Sequence, residues 1–197
     1  MQLEQKHVDA LFTISNIGFG QAATSLSTLL QTNITLRVPE VKMIPFDHIV
    51  DAIHASDAVH AVVYLRVVGH SPGKMALFFP LESAEFIVQT LFSNNNPVDF
   101  YSDPMAQSAL QEVGNIMVSS FLTALADHTN VPFSPSTPAL AIDMARAIID
   151  AIMIEDGFLD DEVLFIRTVI SGSSHVHGQL VFFPDAGSLT KLLGALV

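Results

Sequence analysis

The chain has 197 residues, half of them apolar, which suits one domain of ordinary size or two small halves that share a core. Lys and Arg number 8 against 20 Asp and Glu, and this formal net charge of -12 would repel both nucleic acid and an anionic membrane surface. The absence of cysteine excludes disulfides and thiolate metal sites.

Neither a membrane span nor a secretory signal is predicted. No apolar run approaches the ~18 residues that a membrane-spanning helix needs. The opening MQLEQKHVDA lacks the basic and then apolar pattern of a secretory signal. We therefore expect a cytoplasmic protein, without membrane insertion, whose partners are proteins or small molecules.

The first predicted element is a helix over Val8–Gln31, and its sequence is repeated at a constant offset of 99 residues. VDALFTISNIGFGQAATSLSTLLQ aligns without gaps with QSALQEVGNIMVSSFLTALADHTN, so that Asn16 corresponds to Asn115. The same offset aligns Pro39 with Pro138, and IVDAI with IIDAI. The sequence therefore indicates a duplication.

Each half is predicted to continue with two strands joined by a hairpin and to end in a helix. VVYLRVV at 62–68 resembles VLFIRTVI at 163–170, and ALFFP at 76–80 resembles LVFFP at 180–184. These runs are short, rich in β-branched or aromatic residues, and bounded by Gly, Pro and Ser, which is typical of strands. The closing helices are predicted over Ser83–Phe92 and Ala186–Leu196, with the polar stretch SNNNPVD at 93–99 between the halves.

These elements predict an α/β (α+β) fold with pseudo-twofold symmetry. Two repeats, at about 7–98 and 103–197, would form a single domain over residues 1–197. Neither repeat has enough apolar surface to bury alone. The two should therefore share one mainly antiparallel sheet packed by helices.

The second long helix is predicted over Ser102–Asn130. Asp103 can cap its free amides, and Pro104 suits the first helical position. The helical period predicts a polar row of four residues and an apolar stripe that faces the core. The polar row is Ser108, Glu112, Asn115 and Ser119, and the apolar stripe is Met105, Ala109, Val113, Ile116, Leu122 and Leu125. The proline-rich VPFSPSTP at 131–138 then predicts an extended connection.

Gly114 and Asn115 are poor helix formers placed in the middle of this helix. Relative to alanine, glycine costs ~1 kcal/mol there and asparagine ~0.5 kcal/mol. A local rule that is broken within a polar face marks the place where a site is expected. The sequence therefore points to a site around Asn115.

The motif shared by the two helices is that of a known family. Its pattern is an acidic residue or Ser, three residues, Glu, two residues, Asn, 22 residues and Pro. The second half has it complete as Ser108, Glu112, Asn115 and Pro138, and the first half has Asp9, Thr13, Asn16 and Pro39. On these residues the chain resembles the CheC, CheX and FliY phosphatases of chemotaxis. Two copies in one chain resemble CheC most.

The resemblance implies hydrolysis of the aspartyl phosphate on a CheY-type receiver domain. Asn115 would orient the attacking water, and Glu112 would pair with the lysine that receivers keep beside the phosphorylated aspartate. Ser108 and Pro138 would support this site. The receiver would carry the Mg²⁺, so that the protein needs no cofactor of its own.

The first copy is predicted to be degenerate, because Thr13 stands where the motif has glutamate and cannot pair with a lysine. Asp9 and Asn16 remain, as a second site without its docking group. A non-catalytic adaptor that binds CheD, or another chemotaxis or flagellar protein, is the alternative function. No metal site is predicted, because His175 and His177 lack a third ligand at a suitable spacing.

Overall fold

Helices and strands follow one another in two series of similar order, and the two longest helices each open one series. The structure is a computed structural model that describes residues 4–53, 58–93, 96–156, 161–171 and 175–196. The first series is α1 (Gln5–Leu29), β1 (Thr35–Pro45), a 3-10 turn (Phe46–His48), α2 (Ile49–Ala52), β2 (Val59–Gly69), β3 (Gly73–Pro80) and α3 (Leu81–Leu91). The second series is α4 (Pro104–Thr129), β4 (Phe133–Pro135), β5 (Ala139–Met144), α5 (Ala145–Asp156), β6 (Glu162–Ser171), β7 (His175–Pro184) and α6 (Ser188–Ala195).

The described strands form one antiparallel sheet in which the two halves exchange strands. β1 of the first half pairs with β6 of the second, and β5 of the second half pairs with β2 of the first. The hairpins β2–β3 and β6–β7 meet at the centre through β3 and β7. The predicted mixed fold with a shared antiparallel sheet is confirmed. The boundaries of a single domain with two repeats, about 7–98 and 103–197, stay a prediction.

Helices cover both faces of the sheet, because side chains along the central strands alternate between two hydrophobic clusters. On β3, Leu77 and Phe79 join the larger cluster with residues of α1, α3, α4 and α6. Ala76 and Phe78 join the smaller cluster with residues of α2 and α5. The two long motif helices therefore lie side by side on the same face.

The two FFP runs do not occupy equivalent positions, although their letters match. Aligned directly, Phe78 corresponds to Phe182, yet Phe78 belongs to the smaller cluster and Phe182 to the larger. Phe79 and Phe183 differ in the opposite sense. Successive residues of a strand face opposite sides of a sheet, so an offset of one residue exchanges the two sets. The predicted alignment of ALFFP in β3 with LVFFP in β7 is therefore wrong by an odd number of residues.

The proline-rich segment after α4 is more than a connection. Phe133–Pro135 forms β4 and pairs with residues 67–69 at the end of β2. Proline lacks an N–H, which is tolerated here because, among the described strands, β4 pairs only with β2. The predicted extended backbone is confirmed, whereas a purely connecting role is wrong.

Three polar stretches of the sequence lie partly outside the described residues. They are the link at 93–99, the acidic run EDGFLDDE at 155–162, and SGSSHVHG at 171–178, which contains His175 and His177. Of this histidine pair, only the exposed side chain of His177 is described.

The long helices are amphipathic rather than apolar throughout. α1 and α4 contain 25 and 26 residues, a length that could cross the ~30 Å hydrocarbon core of a bilayer. Across the described ranges, however, no helix combines such length with enough apolar character to span a membrane.

Helix α4 begins and ends where local chemistry predicts. The Asp103 carboxylate accepts hydrogen bonds from the backbone N–H groups of Met105 at 2.9 Å and Ala106 at 3.3 Å. Pro104 occupies the first helical position, and Asn130 closes the helix in the left-handed conformation with φ 55°. The predicted helix over 102–130 is confirmed.

We expect Asp103→Ala to lower the free energy of unfolding by about 1 kcal/mol, because two amides of the first turn lose their acceptor. Urea denaturation would measure this loss. Asp127→Ala is the matched control, since it removes one carboxylate from an exposed position near the other end of the same helix. Equal stability of the two variants would show that the Asp103 cap contributes nothing.

Candidate functional site

The buried face of α4 includes Val113, Leu122 and Leu125 of the predicted apolar stripe, and the half-buried Ala109 and Ile116 pack against the core beside them. Its buried residues are Ala106, Leu110, Val113, Gly114, Met117, Val118, Phe121, Leu122, Ala124 and Leu125. Met105 was placed in the apolar stripe, but its side chain is 68% exposed. That placement is wrong, because Met105 lies three residues before Ser108 and therefore falls on the same helix face as the polar row.

The predicted polar row lies on the accessible side of α4. Ser108 and Glu112 are exposed, and Asn115 and Ser119 are half-buried. Positions separated by three or four residues lie above one another on a helix, so these side chains form one strip about three turns long. Within the described part of the chain, Glu112 has no ion-pair partner, which leaves its carboxylate available to a second molecule.

Gly114 has a packing role and does not belong to the polar face. A Cβ on Gly114 would lie 2.5 Å from Cγ1 and 2.6 Å from Cβ of Val63 in strand β2. Only glycine allows α4 to approach the sheet this closely. The expectation that Gly114 marks a broken rule within the polar face is therefore wrong. Its neighbour Asn115 is held on a helix that is pressed directly against β2.

A second close contact joins the two long helices. A Cβ on Gly18 of α1 would lie 2.7 Å from Cα of Phe121 in α4. The rings of Phe19 and Phe121 stack beside it, with their centroids 6.1 Å apart. The two motif helices are thus fixed against each other as well as against the sheet.

The side chain of Asn115 is held by the next turn of its own helix. The Ser119 hydroxyl donates a hydrogen bond to Asn115 Oδ1 at 3.3 Å. An amide oxygen has two lone pairs and the amide nitrogen two N–H groups, so one acceptor site and both donors remain. Asn115 can therefore contact a water and a phosphoryl oxygen at the same time.

Pro138 lies next to the motif helix, although 22 residues separate it from Asn115 in the chain. It immediately precedes β5 and is half-buried, and its carbonyl oxygen accepts a hydrogen bond from Gln111 Nε2 at 3.5 Å. Gln111 is the residue before Glu112. The chain after β4 is thereby tied to α4 at the level of the predicted site.

In the first half, the corresponding side chains lie on the outer face of α1 and bond within their own helix. Asp9, Thr13 and Asn16 are all exposed. Asn16 Nδ2 donates to the Phe12 carbonyl at 2.9 Å, and Thr13 Oγ1 donates to the Asp9 carbonyl at 2.9 Å.

The proline of the first motif is more exposed than Pro138, but it lies at a similar interruption of a strand. Pro39 is exposed and lies inside β1, at a bulge in the pairing with β6 between Arg37 and Glu40. A bulge leaves an N–H position unpaired, which suits proline. Pro138 lies in the corresponding interruption, between β4 and β5, which both pair with β2. The two prolines therefore correspond in structure as well as in sequence.

Sequence reasoning placed Ser119 in the polar row but did not assign it to the site. The signal was its spacing of four from Asn115, which brings two side chains together on a helix. Its counterpart in the first half, Gly20, has no hydroxyl that could serve in the same way.

Comparisons with known proteins show the family of this chain. The family model described as CheC-like family matches residues 14–43 and 105–142. The chain is 33% identical to the CheY-P phosphatase CheC of Bacillus subtilis over 98% of this chain and 95% of that protein. This chain belongs to the CheC-like family. The two matched segments extend from just before Asn16 to beyond Pro39 and from before Ser108 to beyond Pro138.

Two solved structures share this CheC-like fold. Thermotoga maritima FliY has a TM-score of 0.78 at 20% identity, with 100% of this chain and 98% of that one covered. The CheX chain of a CheX-CheY-BeF3-Mg²⁺ complex from Borrelia burgdorferi has a TM-score of 0.51 at 17% identity, with 85% and 96% covered. At these identities, the likeness concerns the fold alone.

We expect Gly114→Ala to lower the free energy of unfolding of this CheC-like protein. The added methyl group would collide with Val63, and overpacking costs about 1–3 kcal/mol. Alanine returns about 1 kcal/mol of helix propensity, so the net loss in urea denaturation should be up to about 2 kcal/mol.

The matched control is Gly20→Ala in α1, where no described atom lies within 4 Å of the new Cβ. This substitution should leave stability unchanged or raise it by up to about 1 kcal/mol. If Gly114→Ala behaved like the control, the close approach of α4 to β2 would not depend on glycine.

Proposed function

We propose that this protein hydrolyses the aspartyl phosphate of a CheY-type receiver domain, using the outer face of α4. The observation that carries the proposal is an exposed Glu112 and an accessible Asn115 on one helix face, in a chain 33% identical to a CheY-P phosphatase. The complex of CheX with CheY and BeF3 supports it, because CheX shares this fold.

Asn115 would supply the chemistry. A receiver already holds its Mg²⁺ and its leaving group, so an accelerating partner needs only to place and polarise the attacking water. A carboxamide can accept a hydrogen bond from that water and donate one to the phosphoryl group without becoming charged. The half-buried position of Asn115 on a packed helix limits its motion and so favours a fixed geometry.

Glu112 would supply docking. Its exposed carboxylate lies one turn before Asn115 and can form a charge-assisted hydrogen bond with a lysine of the receiver. Such a contact would set the position of the helix along the receiver and bring Asn115 to the phosphorus. Ser108, one turn farther out, and Pro138, tied to Gln111, would support this surface.

The first copy of the motif, on α1, would not hydrolyse the receiver phosphate. Thr13 has no charge to offer a lysine, and Asn16 uses one amide hydrogen on its own helix. The proposal is therefore a single working site on α4. Binding of CheD stays a prediction from the resemblance, and a cytoplasmic location stays a prediction from the sequence.

Asn115→Ala should slow the hydrolysis of phosphorylated receiver by about 100-fold at saturating receiver, because ~3 kcal/mol of barrier lowering is lost. The decay of ³²P-labelled receiver, with and without the protein, measures this rate. Asn16→Ala makes the equivalent change in α1 and should retain the full rate. A wild-type rate for Asn115→Ala would disprove the catalytic assignment, and a large loss for Asn16→Ala would disprove the single site.

Glu112→Gln should act mainly on binding, raising the receiver concentration needed for half-maximal rate by about 5- to 20-fold. A neutral amide keeps the size of the side chain but loses the ionic part of the contact. Added salt should weaken the binding of the receiver to the wild type steeply and to the variant much less, because salt screens the ion pair.

Asp127→Asn removes one charge from the same helix away from the polar row and is the control for net charge. It should bind the receiver as the wild type does. If Glu112→Gln and Asp127→Asn had equal effects, Glu112 would contribute only to the overall charge of the protein and not to docking.

A further inference from the structure

The two motif asparagines hold their carboxamides in opposite ways, although they occupy equivalent positions of the repeat. Asn115 accepts a hydrogen bond at Oδ1 from the Ser119 hydroxyl, four residues later in the chain. Asn16 donates from Nδ2 to the Phe12 carbonyl, four residues earlier. One amide is held from the following turn, and the other bonds back to the preceding turn.

The difference follows from the residue at the next turn. The offset of 99 residues that aligns Asn16 with Asn115 aligns Gly20 with Ser119. With no hydroxyl at Gly20, the available partner for an amide group is a backbone carbonyl of its own helix, which accepts an N–H. At Asn115, the Ser119 hydroxyl donates to Oδ1 instead, and the carboxamide is held with its oxygen toward the following turn.

We propose that Ser119 is a positioning residue for the phosphatase reaction, acting through Asn115. This inference rests on the proposed function, in which Asn115 orients the attacking water. By donating to one lone pair of Oδ1, the serine hydroxyl turns the amide oxygen toward the C-terminal end of α4. Neither N–H group then bonds to the carbonyl of Gln111, four residues earlier, as Asn16 bonds to Phe12 in α1. The second lone pair of Oδ1 then accepts from the water, and the two N–H groups face the phosphoryl oxygens.

The location of Ser119 supports this role. Its side chain is half-buried on the same strip as Asn115, so it is in a position to hold the amide without approaching the receiver as the exposed Glu112 does. The loss of this hydroxyl at Gly20 is a second defect of the first copy, independent of the change to Thr13. The two halves of the molecule thus differ both in the side chain that would dock the receiver and in the one that would orient the carboxamide.

The size of the expected effect follows from the geometry. A separation of 3.3 Å is long for a hydrogen bond between two oxygens, whose usual value is about 2.7–2.8 Å. A single neutral hydrogen bond of this kind corresponds to about a 3- to 10-fold change in rate. Ser119→Ala should therefore slow hydrolysis at saturating receiver by about that factor, with no change in the receiver concentration for half-maximal rate.

Two further variants separate orientation from structure. Ser119→Thr keeps the hydroxyl and should retain most of the rate. Thr123→Ala removes a hydroxyl one turn farther along α4, where Thr123 Oγ1 bonds to the Ser119 carbonyl at 2.8 Å and not to Asn115. That variant should hydrolyse receiver phosphate at the wild-type rate.

The decisive experiment combines Ser119→Ala with Asn115→Ala and measures the decay of phosphorylated receiver. If the serine acts through the carboxamide, the double variant should be no slower than Asn115→Ala alone. The inference is overturned if Ser119→Ala keeps the wild-type rate, or if it slows the Asn115→Ala protein by the same factor as the wild type. In both cases the proposed function would stand, because it fails only if Asn115→Ala itself leaves the rate unchanged.

Discussion

The close approach of α4 to the sheet at Gly114 and Val63 is the contact on which the proposed site depends. A helix that carries any side chain at this position would be lifted away from β2. Because the backbone of α4 rests directly on the strand, the next residue, Asn115, is presented from a fixed support. A carboxamide that must place a water molecule on another protein's phosphorus needs such a support, since a small displacement would misalign the attack.

The exchange of strands gives the first repeat a structural role, although its copy of the motif is degenerate. β1 completes the sheet of the second half through β6, and β5 completes that of the first half through β2. Helix α1 also packs against α4 where Gly18 meets Phe121. The first repeat is therefore part of the frame that holds α4, whether or not its own face performs any chemistry.

The two motif helices share a fold position but differ in what their outer faces can do. On α4, the strip offers a free carboxylate and a carboxamide whose oxygen is held by a hydroxyl. On α1, the carboxamide is bonded to its own helix, and the apolar side chains of Phe12 and Ile17 are 42% and 51% exposed around it. Duplication has thus preserved the architecture while the surfaces have diverged.

Local sequence determined the features whose causes are local. The start of α4 at Asp103 and Pro104, the repeat of helices and strands, and the motif through Asn115 to Pro138 follow from capping, period and spacing. The tertiary structure alone decided the strand exchange, the opposite facing of the two FFP runs, the exposure of Met105 and the reason for Gly114. The physical reason is that the period of a sequence predicts which residues share a face of a helix or strand. What that face packs against depends on contacts with residues far away in the chain.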